Sequence, residues 1–212
     1  MAKQVVVLGL GRFGGIVATR LAELGHEVMG CDRDPAVVAA MAPRLTQALQ
    51  MDATDADAIA EVGAGEFDVA VVALDPAATI LATMLLTRMG ATSIVARAAS
   101  ELDGEILRRV GAGRVVYTDQ MVATWVAHTI DLADATDYIR LSSEIAAVHL
   151  ILGERVAGQR LGDVDRRDPT LRIVALHRGE QVFLDPDPQT VMQAGDGILV
   201  VGPERDFRAL AR

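Results

Sequence analysis

Six residues, Gly9-Leu10-Gly11-Arg12-Phe13-Gly14, restrict what this chain can fold into more than any other segment. They follow the apolar run Val5–Leu8 and open a segment, Arg12–Leu24, in which Phe13, Val17 and Leu21 recur at helical spacing. Between a strand and a helix each glycine has a separate task. Gly9 allows the tight turn, Gly11 lets the backbone approach a diphosphate, and Gly14 lets helix and strand pack closely. The helix start supplies free N–H groups and a partial positive charge for phosphates. A second strand, Glu27–Asp32, ends in an acid 18 residues after Gly14. An acid there accepts both hydroxyls of an adenosine ribose and disfavours a 2′-phosphate. The spacing predicts a dinucleotide-type site.

Strand and helix patterns continue to alternate after this unit. Asp34 caps a helix at Pro35–Met41, with Pro35 in its first turn. Strands are expected at Thr46–Gln50, Val69–Leu74, Ser93–Arg97 and Arg114–Tyr117. Helices are expected at Asp55–Val62, Pro76–Arg88 and Glu101–Val110. This is the pattern of a Rossmann, doubly wound parallel sheet of the α/β class. The pattern changes near residue 118. Thr118–Ala135 reads as one long crossover helix, and beyond it come short strands at Tyr138–Leu141, Ala146–Leu152, Arg172–His177, Gln181–Leu184 and Gly197–Val201. Arg178-Gly179-Glu180 reads as a hairpin turn, Pro203–Leu210 as a closing helix, and the charge run Asp163–Asp168 as a solvated loop. We expect a nucleotide-binding domain over 1–135 and a small α+β domain over 136–212.

Several function classes are excluded by composition. The net charge of −9 opposes binding to nucleic acid or an anionic membrane surface. Aromatic residues are 3% of the chain, too few for base-stacking platforms. Cys31 is the only cysteine, so an internal disulfide or Cys-cluster metal site is out. Lys3 is the only lysine, which removes the Walker phosphate loop, the Tyr-x-x-x-Lys pair of short-chain reductases and Schiff-base chemistry. The N-terminus lacks signal-peptide character, and the apolar stretch Ala77–Leu86 is too short to span a bilayer. A cytoplasmic protein is expected.

Further candidates stand where later strands end, the side on which open α/β sheets bind ligands. Asp52, Ala53 and Thr54 follow the third strand, Ala73 and Leu74 the fourth, Arg97 the fifth and Asp119 the sixth. Asp52 would flank an adenine, and Ala73 and Leu74 would lie against the nucleotide. Arg12 would stand beside a phosphate at the helix start. Phe13 and Arg33 complete the candidate set. His26, His128, His149 and His177 read as turn, packing or strand residues, and no nucleophile-elbow or metalloprotease motif is present.

With Gly9–Gly14, Asp32 and Asp52-Ala53-Thr54 placed, the chain resembles the cytosolic regulator of K+ conductance (RCK) subunits of Ktr/Trk-type potassium uptake systems. The Arg and Phe of the G-L-G-R-F-G string sharpen the likeness. So do Gly158-Gln159-Arg160-Leu161, Ile173-Val174-Ala175-Leu176, Pro186-Asp187-Pro188, Ala194-Gly195-Asp196 and Val200-Val201-Gly202. One module of each kind in this length is similar to the single-copy Ktr regulators. The resemblance implies binding of ATP, ADP or NAD(H) without hydride transfer. Arg12 would meet terminal phosphates, Asp32 the ribose and Arg97 a phosphate across the site. Asp119 would fall near a nucleotide-bound cation, divalent or monovalent. It also implies dimers assembled into an octameric ring, docked on a membrane-embedded potassium channel or transporter subunit at the inner face of the membrane. Some members bind cyclic di-AMP in the C-terminal domain. This chain has Pro169-Thr170 where the family often has Tyr-Gly, and Met51 where many members have glycine.

Two functional classes are weighed. A regulatory module would act by population shift, with a nucleotide favouring one ring shape by about 1–3 kcal/mol per site. An NAD-dependent oxidoreductase is the alternative, but the small domain offers no His–Asp or Lys–Tyr pair for proton transfer. A nucleotide-sensing repressor lacks a basic helix. We therefore read the chain as a regulator and not an enzyme. Assembly is expected from two apolar faces. These are Met121, Val122, Trp125, Val126 and Ile130 on the long helix, and Ile80, Leu81, Met84 and Leu85 on Pro76–Arg88.

Overall fold

The computed structural model describes residues 1–132, 134–163 and 169–209. The chain divides into two compact units, Met1–Asp119 and Gln120–Arg212. In the first, short apolar segments form parallel strands and the segments between them form helices. The strands are β1 (Gln4–Leu8), β2 (Glu27–Asp32), β3 (Gln47–Gln50), β4 (Val69–Val72), β5 (Ile94–Arg97) and β6 (Arg114–Val116). The helices are α1 (Arg12–Glu23), α2 (Pro35–Met41), α3 (Ala56–Glu61), α4 (Pro76–Arg88) and α5 (Glu101–Arg109). The sheet order is β3-β2-β1-β4-β5-β6, all parallel. This is a Rossmann arrangement in which the order reverses between β1 and β4. Val6, Leu8 and Val72 face one apolar layer, and Val5, Val7 and Val71 the other. Burial on both faces explains why these strands read as unbroken apolar runs.

Side chains stop and start the helices as local chemistry dictates. Asp34, Asp55, Asp75 and Ser100 accept hydrogen bonds from backbone N–H groups at the starts of α2, α3, α4 and α5. The start of α1 differs: Gly11 occupies its N-cap position and has no side chain to cap it. Ala73 and Leu74, expected at the end of β4, lie beyond it, because the strand pairs only through Val72.

The second unit holds α6 (Thr118–Asp131, entering from the first unit) and an antiparallel sheet. Its strands are β7 (Ala135–Arg140), β8 (Ile145–Ile151), β9 (Arg172–Arg178), β10 (Gln181–Leu184) and β11 (Gly197–Pro203), in the order β10-β9-β11-β8-β7. One face packs Leu150, Ile173, Leu176, Ile198 and Val200 into a core with Leu132 and Phe207. The β9–β10 turn is the expected hairpin, with Gly179 at φ +59°.

Three expectations change. The long helix ends at Asp131, and Ala135 already pairs with Leu150 in the sheet. From Gln120 onward it goes with the second unit, whereas the sequence pattern groups it with the first. Trp125 Nε1 donates to Asp137 Oδ1, and His128 stacks on Tyr138 at 3.8 Å between ring centroids. The expected closing helix is a 3-10 turn, Glu204–Ala209, because Pro203 continues β11 by pairing with Ile145. Leu210 and positions 164–168 of the acidic run lie outside the described residues. The apolar faces also divide differently. All five expected residues on α6, Met121, Val122, Trp125, Val126 and Ile130, are exposed, but on α4 only Leu81 of the expected face is exposed. Leu85 is buried in the core, and Ile80 packs against it, because α4 lies directly over the sheet and uses that stripe internally.

Candidate functional site

A cleft of about 530 Å3 opens at the carboxyl ends of the parallel strands, where the strand order reverses. It has the size of a small-molecule site. Its walls include Gly9, Gly11, Asp32, Arg33, Asp52, Ala53, Thr54, Ala73, Leu74 and Arg97. Five strand–helix connections contribute to it, so residues up to 88 positions apart in sequence meet at one place.

The glycine turn is built for close approach. Gly9 adopts φ +94°, and a Cβ there would stand 2.6 Å from the Ala73 carbonyl oxygen. A Cβ on Gly14 would lie 1.9 Å from the Gly9 carbonyl oxygen. Both positions require glycine for the backbone to pack at all. Gly11 is the opposite case: a Cβ there would meet nothing within 4 Å but open space, and the residue borders both the cleft and the adjoining α1–α2 groove. The uncapped N–H groups of α1 point the helix dipole at this space, with no acid in the first turn to compete for it. A diphosphate fits this cradle, since the donors, the dipole and the vacancy over Gly11 coincide.

Asp32 ends β2 and already serves the turn. Its Oδ2 accepts from Leu10 N–H at 2.8 Å and its Oδ1 from Asp34 N–H at 3.0 Å. Each carboxylate oxygen retains a second lone pair, so ribose hydroxyls can still be accepted. Asp52 accepts from both the N–H and the Oγ1 of Thr54, at 2.9 and 2.7 Å. These bonds, chiefly the hydroxyl's, hold its carboxyl below the usual Asp range, with Arg33 assisting. Across the cleft Arg97 ends β5.

Four expected residues do not line the cleft. Gly14 acts through packing alone. Phe13 is half-buried on α1. Arg12 lines a neighbouring groove between α1 and α2, with Ile16, Val37 and Met41. Asp119 sits in the first turn of α6, bonded to Thr118. Among the described residues there is no group of three or more His, Cys, Asp or Glu that could hold a metal ion.

Cys31, Met51, Asp75 and Ala78 also line the cleft and were not expected there. Asp75 was legible as an Asp-Pro helix start, but its approach to the glycine turn depends on β4 pairing with β1. Burial, and then the charge of Asp32, push the Cys31 thiol up to about 12, so it is no nucleophile. Among the lining groups no His or Lys stands ready to move a proton.

Residues 5–118 match the TrkA-N domain family and residues 145–212 the TrkA-C domain family. The chain is 34% identical over 210 residues to the Ktr system potassium uptake protein C of Bacillus subtilis, covering 98% of this chain and 95% of that one. A structure of the GsuK RCK domain superposes with a TM-score of 0.69 at 16% identity, over 100% of this chain and 47% of that one. The GsuK channel bound to NAD gives 0.66 at 18% identity, over 99% and 39%. The chain thus spans less than half of each of these two structures. No helix among the described residues is long and apolar enough to cross a membrane.

Proposed function

The chain belongs to the TrkA-N/TrkA-C (RCK) family of Ktr-type potassium uptake proteins, and from that premise we propose that it is a nucleotide-binding regulatory subunit gating a membrane potassium transporter. The observation that carries this reading is the open space over Gly11 at the uncapped start of α1, facing Asp32 across one cleft. The ligand is an adenosine di- or triphosphate or NAD(H), with its phosphates over Gly11 and its ribose at Asp32. Arg12, exposed at the first helical position, lines the adjoining groove that also begins at Gly11, so it would distinguish a triphosphate from a diphosphate only where the third phosphate extends past Gly11 toward that groove. Arg97 contributes charge from the far wall. The subunit works at the cytoplasmic face of the membrane on its transporter partner, and it does not turn over its nucleotide.

Gating follows from differential binding. A nucleotide that fits one arrangement of an oligomeric ring better than another shifts the population toward it, and a coupling of about 1–3 kcal/mol per site compounds over a ring. The test is calorimetric titration with ATP, ADP, NAD+ and NADH, followed by K+ flux in proteoliposomes holding a Ktr-type membrane subunit. Nucleotide-dependent flux is the expected result. Flux indifferent to every nucleotide overturns the reading, and steady NADH oxidation with carbonyl substrates replaces it with an oxidoreductase.

Replacing Asp32 with alanine is expected to weaken nucleotide binding by roughly 1–3 kcal/mol, through loss of charge-assisted hydrogen bonds. It also frees Leu10 N–H, so Asp32→Asn is the sharper probe, and unchanged affinity in both variants removes Asp32 from the site.

Assembly follows from α6. Met121 is 64% and Ile130 76% exposed, more apolar surface than a solvated helix carries. Light scattering is expected to give a mass of at least a dimer, with Met121→Asp or Ile130→Asp lowering it. A monomer at micromolar concentration contradicts the proposal. Leu85→Asp is unsuitable for this test, because Leu85 is a core residue.

A further inference from the structure

His149 and His177 lie on β8 and β9, which are not neighbours: β11 runs between them. Their Nε2 atoms are nevertheless 2.8 Å apart. The ring planes differ by 15° and the centroids are 4.9 Å apart, so the nitrogens are far closer than the ring centres and the rings meet edge to edge. That is the geometry of an imidazole–imidazole hydrogen bond, in which one Nε2–H donates to the other's lone pair. A metal holding both nitrogens at tetrahedral geometry needs them about 3.3 Å apart, which leaves a proton as the fitting occupant.

Two features of the sheet make this contact. On the middle strand, Gly197 pairs with His177, and a Cβ at Gly197 would stand 1.7 Å from His177 Nε2. Only a glycine there lets the imidazole lie across β11. On the other side the β7–β8 register slips between Ala135 and Asp137, leaving Thr136 as an extra residue. Its Oγ1 hydrogen-bonds His149 Nδ1. Bulges commonly re-aim a side chain in this way.

We propose that Thr136, His149 and His177 form a one-proton site, a pH-sensitive clamp that joins β8 to β9 across Gly197 and opens when the second imidazole is protonated. One proton can be shared along the Nε2–Nε2 line. A second puts two N–H groups head to head, and the contact cannot survive. The surrounding charges are few. From β7, Asp137 stands opposite His149 and favours its charged form. Beside His177 on β9, Arg178 is neutralised by Asp196, whose carboxylate also interacts with His177. From β11 come Gly197 and Leu199, and from β10 Val182, all uncharged. Burial, then repulsion from His177, holds His149 below its ordinary value of 6.5. The unfolded chain therefore takes up this proton first on acidification. The stability the clamp supplies is complete above the ordinary His range and falls as pH drops through it.

The test is an NMR titration of the full chain with 15N-labelled histidine. The expected result is coupled titration of His149 and His177, with their second protonation displaced downward by at least about one pH unit from the ordinary His value of 6.5. Gly197→Ala is expected to swing the His177 ring aside and uncouple the two curves in a folded protein, with His149 moving up toward its ordinary value while burial still holds it below. Should that variant not fold, His177→Gln gives the same reading through His149 alone. Independent, ordinary titration of both rings in the unaltered protein overturns the proposal, as does coupled titration that persists in Gly197→Ala.

Discussion

Gly11→Val is expected to abolish nucleotide binding while leaving the fold intact. Most glycine replacements in such a turn cannot separate these outcomes. At Gly14 an added Cβ would collide with the Gly9 carbonyl, and at Gly9 with that of Ala73, so either change damages the turn itself. Gly11 has φ −62° and ψ −168°, extended backbone that valine adopts readily, and no neighbour within 4 Å of the new Cβ. The cost to the fold is confined to a poorer helix cap, about 1 kcal/mol or less. The valine methyls, however, enter the cleft where the diphosphate must meet the α1 N–H groups. Losing that contact is expected to raise Kd at least 100-fold, about 3 kcal/mol. Calorimetry and thermal melting on the same samples check it. A variant that binds normally would reduce the glycine string to a packing turn.

Asp196→Ala is expected to produce the largest loss of stability, confined to the second unit. Asp196 is 2% exposed at the turn before β11. Its two oxygens accept from Arg178 Nε and Nη2 at 2.8 and 2.7 Å, and Oδ2 also accepts from Gln193 N–H at 2.8 Å. These bonds, Arg178's foremost, hold its carboxyl below the usual Asp range. Its removal takes the acceptor from the half-buried Gln193 N–H and leaves the Arg178 guanidinium with the Val191 carbonyl as its acceptor. Arg178 is about a third exposed and recovers water, so the loss lies toward the lower end of the range for breaking a buried pair, about 3 kcal/mol. In a unit of this size that lowers Tm by roughly 10–20 °C. The sole tryptophan, Trp125, reports on this unit. The sign with pH follows from the depressed carboxyl: its stabilisation is complete above the ordinary Asp value of 3.8 and is lost as pH falls through the lower, folded value. Wild type and variant therefore converge in acid. A gap independent of pH would assign the loss to packing instead.

Much of the first unit was legible because its signals are local. The glycine string, the Asp-Pro and Ser helix starts, and the apolar runs buried on two faces each act within a few residues, and parallel strands separated by helices leave little freedom in their order. Asp32 could be placed from the strand that precedes it. The direction of the Arg12 side chain could not, since it depends on how α2 packs beside α1. The burial of Leu85 was hidden for a related reason: the α4 sequence is apolar nearly all round, and the stripe that faces the sheet is fixed only when the helix is laid on it.

The second unit shows the division most clearly. By itself the sequence determined that short strands follow Asp137 and that Gly179 turns one hairpin, because side-chain periodicity and a left-handed glycine are properties of a few consecutive residues. The tertiary structure alone decided that β11, last in the chain, lies between β8 and β9. That order brings His149 to His177 across Gly197 and carries Pro203 into the sheet instead of a helix. Strand order and register are chosen by which faces bury together across distant segments, a balance that no local pattern records.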